Sequence, residues 1–312
     1  MPYRVSSKEL ESALVSGGAD VTSTGGETLL FSLQNGDLIT AQARIDDCWI
    51  SVRASWSPIK EVAADGKRVW SRLLQNGRMA GPVRFAVGSS GDERLRADIP
   101  LEGSATLEQE IAQVCRALKG AYGGHPEENG VVQDAAPVSD AGKAARSAGE
   151  VRERFGETGW DLTVKDEHVS AALDVPGRYV QARIHPCGGD AFRASVSLLT
   201  VAGEVVPVCQ HGIALFLLSA SNAIRLVRPA AYASTGRTRI GCEVHFQTGH
   251  DPSGDLSRVL SALSVATDLC LQEVRALTDE SVCAAYLGVR GANGNRRRPK
   301  QRRRQEDGYA SG

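Results

Sequence analysis

Two parts of this chain repeat each other's sequence. Gln42-Ala43-Arg44-Ile45 recurs as Gln181-Ala182-Arg183-Ile184, and the same offset maps Cys48 onto Cys187. Further matches follow in the same order with slowly growing offsets, which favours a tandem duplication. The chain must then fold as two units of one kind. The further matches are Arg53-Ala54-Ser55 with Arg193-Ala194-Ser195, Leu73-Leu74 with Leu217-Leu218, and Val83-Arg84 with Val227-Arg228.

A stretch rich in glycine, alanine and proline separates the two units. It covers residues 123–149 and is typical of a linker. A chain of 312 residues also has the length of two ordinary domains. We therefore predict a first domain over 1–122, a linker over 123–149, a second domain over 150–291 and a disordered arginine-rich tail over 292–312.

The composition limits the class of protein. Hydrophobic residues make up 42% and charged residues 23% of the chain, which is typical of a globular protein. No apolar stretch is long enough to predict a membrane span. The first residues include Lys8 and Glu9 and lack the apolar core of a secretory signal. Seven scattered cysteines without a CxxC motif indicate free thiols, so we expect a cytoplasmic protein.

The pattern of the first half predicts the order α-β-β-β-α-β-β-α. Asn35-Gly36 between two apolar runs is a strong hairpin signal, and the apolar stripe over 106–122 is typical of an amphipathic helix. The predicted helices cover 6–14, a segment from Val69, and 106–122, and the predicted strands cover 28–33, 38–45, 48–55, 83–87 and 94–101.

The second half repeats this order. We expect an α+β fold of two such tandem units, each an antiparallel sheet with helices on one face, arranged as a pseudo-dimer. The predicted helices cover 151–156, 213–226 and 256–277, and the predicted strands cover 162–164, 168–175, 179–184, 192–200, 230–234 and 238–247.

One motif of the first half resembles a known family. It joins Leu73-Leu74-Gln75-Asn76-Gly77, Val83-Arg84-Phe85-Ala86-Val87, the segment 94–101 and Thr106-Leu107-Glu108. These residues are similar to the YbjN family, which has the type III secretion chaperone-like fold. The second copy diverges from the pattern: Asn222 is shifted, Pro229 stands in the place of Phe85, and His245 replaces Pro100.

The resemblance implies a binding function without chemistry. Secretion chaperones of this fold pair as dimers and hold extended segments of client proteins. Two copies on one chain then imply an internal pseudo-dimer, which can itself form a homo-oligomer. We expect a chaperone- or adaptor-like protein that holds a partner segment by an edge strand and by an apolar groove between the copies. The motif defines no binding residues.

Phe216, Leu217 and Leu218 form an apolar cluster on a predicted helix. Such a cluster is either a buried interface between the repeats or a partner-binding surface. The interface is the favoured interpretation, and the three residues are the candidate protein-binding site.

Soft metal ligands occur in three short pairs of the second half: His185-Pro186-Cys187, Cys209-Gln210-His211 and Cys242-Glu243-Val244-His245. If they converged they would make a zinc site, but none has the CxxC spacing. We expect cysteines in the core and no metal. The motifs GxSxG, GxxxxGK[ST] and GxGxxG after a strand are missing, so we predict neither an enzyme nor a cofactor.

The C-terminal tail has the highest charge density in the chain. Such a run repels itself and can contact phosphate groups. The alternative function is therefore a nucleic-acid-associated regulator that binds through this tail. Binding to an acidic partner, or a merely solubilising role, also remains open. The basic residues are Arg296, Arg297, Arg298, Lys300, Arg302, Arg303 and Arg304.

Overall fold

The computed structural model describes residues 5–23, 27–55, 62–102, 105–123, 147–156, 158–165 and 168–296. Within these ranges the chain forms seven α-helices and two antiparallel six-stranded sheets, one in each half. The predicted α+β fold in two similar halves is thereby confirmed. Most of the predicted linker and most of the predicted tail lie outside the described residues.

The first half begins with a helix that its sequence caps. The Ser6 side chain accepts a hydrogen bond from the Glu9 amide, and the Glu9 carboxylate accepts one from the Ser6 amide. The sheet order is β1-β2-β3-β4-β6-β5. The elements are α1 (Ser7–Ser16), β1 (Asp20–Ser23), β2 (Thr28–Asn35), β3 (Asp37–Asp46), β4 (Trp49–Ser55), a 3-10 turn (Val62–Ala64), α2 (Gly66–Arg78), β5 (Arg84–Val87), β6 (Glu93–Pro100) and α3 (Leu107–Gly123).

The second half repeats this architecture, including the cap: Ser147 and Glu150 form the same reciprocal box at its first helix. Its strands lie side by side in the order β7-β8-β9-β10-β12-β11, which corresponds strand by strand to the order in the first sheet. The elements are α4 (Ala148–Phe155), β7 (Leu162–Val164), β8 (Val169–Val175), β9 (Arg178–Gly188), β10 (Ala191–Ala202), α5 (Pro207–Ala220), β11 (Arg228–Ser234), β12 (Arg237–Gln247), α6 (Pro252–Ala276) and α7 (Glu280–Arg296).

Two elements differ from the predicted unit. The first half has four strands before its middle helix, because β1 adds a short edge strand that we did not predict. It matches β7, which we did predict in the second half. Helix α7 follows the helix that we expected to be the last one, and it reaches Arg296, inside the predicted tail. Its sequence has only a weak apolar stripe, and Cys283, Tyr286 and Leu287 pack it into place.

Helices cover one face of each sheet. Helices α1 and α3 lie against the first sheet, and α4 and α6 lie against the second. The strands alternate accordingly: in β9 the side chains of Ala182 and Ile184 are buried under the helices, whereas Gln181 and Arg183 point to the opposite side and are exposed. We call this opposite side the open face of each sheet.

The middle helices pack across the two halves. Helix α2 of the first half packs on α5 and on strand β11, and α5 of the second half reaches strand β5. The buried apolar residues of both halves form one continuous core. The two halves therefore close on each other as the predicted pseudo-dimer.

Candidate functional site

The junction between the halves depends on a glycine and an asparagine near the end of α2. A Cβ atom on Gly77 would lie 2.7 Å from the carbonyl oxygen of Ala231, so only glycine allows this approach. The Asn76 side chain donates to the carbonyl oxygen of Pro229 at 3.0 Å. In return, Asn222 after α5 donates to the carbonyl oxygen of Val87.

Buried arginines strengthen the same junction. Through its Nη2 atom, Arg84 donates to Asp98 and to the carbonyl oxygens of Ser221 and Ile224, at 3.1 and 3.2 Å. These carbonyl groups follow α5 of the other half. Burial alone would raise the pKa of Asp98, but the charges of Arg84 and Arg96 outweigh it and lower the pKa to about 2. The carboxylate therefore stays ionised.

Arg228 has the corresponding role from the second half. It donates to Glu243 at 2.9 Å through Nε, and to the carbonyl oxygens of Met79 and Gly81 at 2.7 and 3.0 Å. These carbonyls follow the end of α2, where a helix leaves acceptors without intrahelical partners. Burial and the Arg228 charge lower the pKa of the adjacent His245 to about 4, so its ring is neutral at pH 7.

The apolar cluster that we considered for partner binding lies at this junction. Leu217 and Leu218 are buried, because α5 is turned into the other half. A separate partner cannot reach these two side chains, so their proposed partner-binding role is corrected to a structural one. Phe216 is partly buried, with its ring edge-on to Tyr286 of α7 at 6.5 Å between centroids.

The histidine and cysteine pairs lie apart. Cys242 and His245 are three residues apart on β12 and face opposite sides of the sheet. Cys242 lies beside Cys270 of α6, whereas His245 contacts Glu243. Among the described residues, no group of three or more His, Cys, Asp or Glu side chains is arranged to hold a metal ion.

One of the seven basic candidates of the tail lies within the described residues. Arg296 is the last residue of α7. The remaining candidates, Arg297, Arg298, Lys300, Arg302, Arg303 and Arg304, lie outside the described residues.

A cleft of about 520 Å³ lies on the second half, along the open face of its sheet. Three small residues in one row across the sheet form its floor. Ser197 of β10 is opposite Gly241 of β12, and Gly241 is opposite Ala230 of β11. Side chains this small leave a depression between the larger residues of the neighbouring rows.

Arginines surround this floor. Arg183, Arg237 and Arg239 line the cleft from the sheet, and Arg275 lines it from α6 on the other side of the sheet. No ion pair joins any of them to a carboxylate of the described residues. Glu243 is the one carboxylate of a described residue in the lining, and Arg228 already neutralises it. The cleft therefore has a surplus of positive charge.

Two tyrosines complete the wall. Tyr179 is 81% exposed at one side. The ring of Tyr232 is covered by the guanidinium of Arg239, with its central carbon 4.6 Å from the ring centroid. The Tyr232 hydroxyl donates to Glu243, so this ring is fixed from two sides.

The sequence did not reveal the cleft. Arg183 belongs to the repeated Gln-Ala-Arg-Ile stretch, but that stretch was evidence only for the duplication. Gly241 and Ala230 are far from Ser197 in the chain, and only the strand pairing brings them into one row. Alternation within β12 could have placed Arg239 and Gly241 on one face of the sheet. It could not have identified the residues beside them on β10 and β11.

Comparison with known proteins adds no family to this description. No family model matches the chain, and no curated protein sequence matches it. The resemblance to the YbjN family therefore stays a prediction. No helix of the described residues combines the length and the apolar character needed to cross a membrane.

Proposed function

We propose that this chain is a non-enzymatic binding protein that holds a segment of another polypeptide on the open face of its second sheet. One observation carries the proposal: arginines that no carboxylate of the described residues neutralises line an open cleft. A cleft lined by one sign of charge attracts ligands of the opposite sign, and the arginine fork suits carboxylate or phosphate groups, so such a cluster favours an external anionic ligand.

The proposed mechanism differs from an apolar groove between the two copies. That groove is filled by α2 and α5 of the chain itself. The outer edge strands β1 and β7 have four and three residues, which offers a strand from a partner little length to pair with. The open face of the second sheet is therefore the better candidate surface.

The proposal includes a location in the cytoplasm and no cofactor. All seven cysteines are free, which suits a reducing compartment. The ionised groups buried at the junction are engaged in bonds between strands and helix ends, which is a structural use of charge.

Site-specific photocrosslinking tests the proposal. The crosslinking amino acid would replace Gln181 in the cleft, with two control sites: Gln42 at the matching position of the first half, and exposed Val265 on α6. We expect one protein partner to crosslink from position 181 only, and the same partner, once purified, to bind the unmodified full chain. Crosslinking from Val265 alone, or no crosslinked protein at all, would contradict the proposal.

Nucleic-acid binding through the tail is the second candidate function, favoured by the seven basic residues within 296–304. Binding of a duplex oligonucleotide should then vanish in a chain that stops at Asn295. The affinity of the full chain should fall steeply with salt, because phosphate contacts release counterions. Equal binding by both chains would remove the tail as the site.

A further inference from the structure

We propose that the cleft of the second sheet binds an acidic segment, rich in Asp or Glu, and that Arg183 and Arg239 recognise its carboxylates. This inference rests on the proposed function and names the chemistry of the partner. An arginine fork binds a carboxylate through two parallel hydrogen bonds, which gives both affinity and orientation.

The strand register places the two arginines on either side of the floor row of Ser197, Gly241 and Ala230, each in a neighbouring row. Arg183 of β9 is opposite Ser195, which is opposite Glu243. Arg239 lies on β12, four residues before Glu243, and two strands away from Arg183. With about 4.8 Å between strands and about 3.3 Å per residue, their Cα atoms are roughly 16 Å apart. An extended segment of about five residues spans this distance.

The walls of the cleft suit a peptide backbone. Hydroxyl groups of Ser195, Ser197, Thr200 and Ser234 line it, and each can donate to a carbonyl or accept from an amide. Ser197 and Thr200 already lie 3.1 Å apart, so both hydroxyls face the same space. An extended acidic segment would therefore find hydrogen-bonding groups between the two arginines.

The aromatic residues argue against a single-stranded nucleic acid as the ligand. Sheets that bind such strands stack successive bases on several aromatic rings. Within this cleft Tyr179 is highly exposed, but Arg239 already covers the Tyr232 ring. The cleft thus presents charge and hydroxyl groups more than stacking surfaces.

Fluorescence anisotropy with the full chain tests the inference. The probes are a labelled decapeptide of Asp, Glu and Ser, an uncharged decapeptide of Gln and Ser, and a ten-nucleotide oligo-dT. We expect the acidic peptide to bind and the other two to bind at least tenfold more weakly. Arg183→Gln and Arg239→Gln should each weaken acidic-peptide binding by roughly tenfold, since each removes a charge-assisted pair.

Arg44→Gln is the matched control. Arg44 occupies the place of Arg183 in the first sheet, opposite Ser51 instead of Ser195, and the substitution removes the same charge. We expect its affinity to stay within about twofold of the unchanged protein. An equal loss in all three variants would show general electrostatic attraction and overturn the inference, as would tighter binding of oligo-dT.

A second variant separates shape from charge. Ser197→Arg fills the floor of the cleft while adding a positive charge at an exposed position. If the cleft is the site, acidic-peptide binding falls although the charge attraction rises. Unchanged or stronger binding overturns the inference, provided that circular dichroism shows the variant folded. A partner crosslinked at position 181 would still support the proposed function if the acidic peptide fails to bind.

Discussion

The two sheets differ in the row next to the pairs Arg44–Ser51 and Arg183–Ser195, when the halves are aligned on the repeated Gln-Ala-Arg-Ile stretch. In the first sheet the row contains Arg53, Arg96 and Arg84, opposite one another on β4, β6 and β5. In the second sheet the row is Ser197, Gly241 and Ala230. One half thus fills with three arginines the space that the other half leaves as a cleft.

Ion pairing explains why the first sheet can bury such charge. Asp98 is bonded by both Arg84 and Arg96, and Arg96 also donates to the carbonyl oxygen of Asn222. These arginines therefore hold the segment after α5 against the first sheet. In the second sheet, the junction is held by Arg228 instead, one row away, so the row of Gly241 stays free. The same topology supports a structural role in one half and a candidate binding site in the other.

Asp98→Asn should have the largest effect on this comparison. It leaves the charges of Arg84 and Arg96 buried without a carboxylate, and we expect a loss of about 3–5 kcal/mol in the free energy of unfolding. Urea denaturation measures this. A loss below about 1 kcal/mol would show that the arginine row of the first sheet does not depend on its carboxylate.

Gly77→Ala tests the close approach of α2 to the second sheet. The added Cβ would lie 2.7 Å from a backbone oxygen that cannot move independently, so we expect a loss of about 1–3 kcal/mol. Gly120→Ala in α3 is the control, because its Cβ would meet no atom within 4 Å. That change should instead stabilise the protein by about 0.5–1 kcal/mol. Equal effects of the two substitutions in thermal or urea unfolding would contradict this close approach.

The pH dependence should sharpen the contrast between the halves. In the second half, burial followed by nearby arginine charges lowers the pKa of His185 and of His245 to about 4. The unfolded chain then binds protons that the folded one does not, so stability falls as the pH drops from about 6.5 to 4. His185→Gln should flatten this part of a pH series of urea unfolding curves. An unchanged slope would contradict the assignment.

At lower pH the first half should contribute. The folded pKa of Asp98 is about 2, so the stability that it supplies is present above its unfolded pKa, near 3.9, and is lost as the pH falls through 2. Asp98→Asn should reduce this acidic part of the curve without affecting the part above pH 4.5. The remainder belongs to carboxylates such as Glu243, whose burial the Arg228 charge outweighs, so that its pKa is also lowered. Retention of the whole acidic part in the variant would assign it to these other carboxylates.

Arg53→Ser should have the smallest effect. Burial and then the charges of Arg96, Arg94 and Arg44 lower the pKa of Arg53, so its removal relieves repulsion. Because the side chain is largely open to water, we expect a gain of at most about 0.5 kcal/mol. The variant should bind no acidic peptide at this position, since Arg84 and Arg96 still fill the row. A measurable loss of stability would contradict this account.

Local pattern predicted much of the fold. A helix was predicted near Ser6, and the Ser-x-x-Glu sequence there forms a capping box. The same box at Ser147 was missed, because the predicted linker extended to residue 149. Asn35-Gly36 makes the expected hairpin, with Gly36 at a φ of 78°. Each of these features depends only on residues a few positions apart, so the sequence alone is enough to predict it. Strand β1 and helix α7 were missed because pairing and packing, more than their own sequence, hold them in place.

Local sequence patterns could not predict the candidate site. The cluster of Phe216, Leu217 and Leu218 is visibly apolar in the sequence, but whether it faces a partner or the other half depends on where α5 packs. Likewise, nothing near Gly241 in the chain indicates that Ala230 and Ser197 are its neighbours across the sheet.

The sequence by itself determined that this protein has two similar α+β units, because residue alternation, helix caps and turns are local and are written twice. Only the tertiary structure decided how the units close on each other and where a ligand can enter. Contacts between residues far apart in the chain pack α2 against α5 across the two halves. Such contacts also set the register of β10, β12 and β11. Those contacts decide which arginines are neutralised and which, like Arg183 and Arg239, remain available.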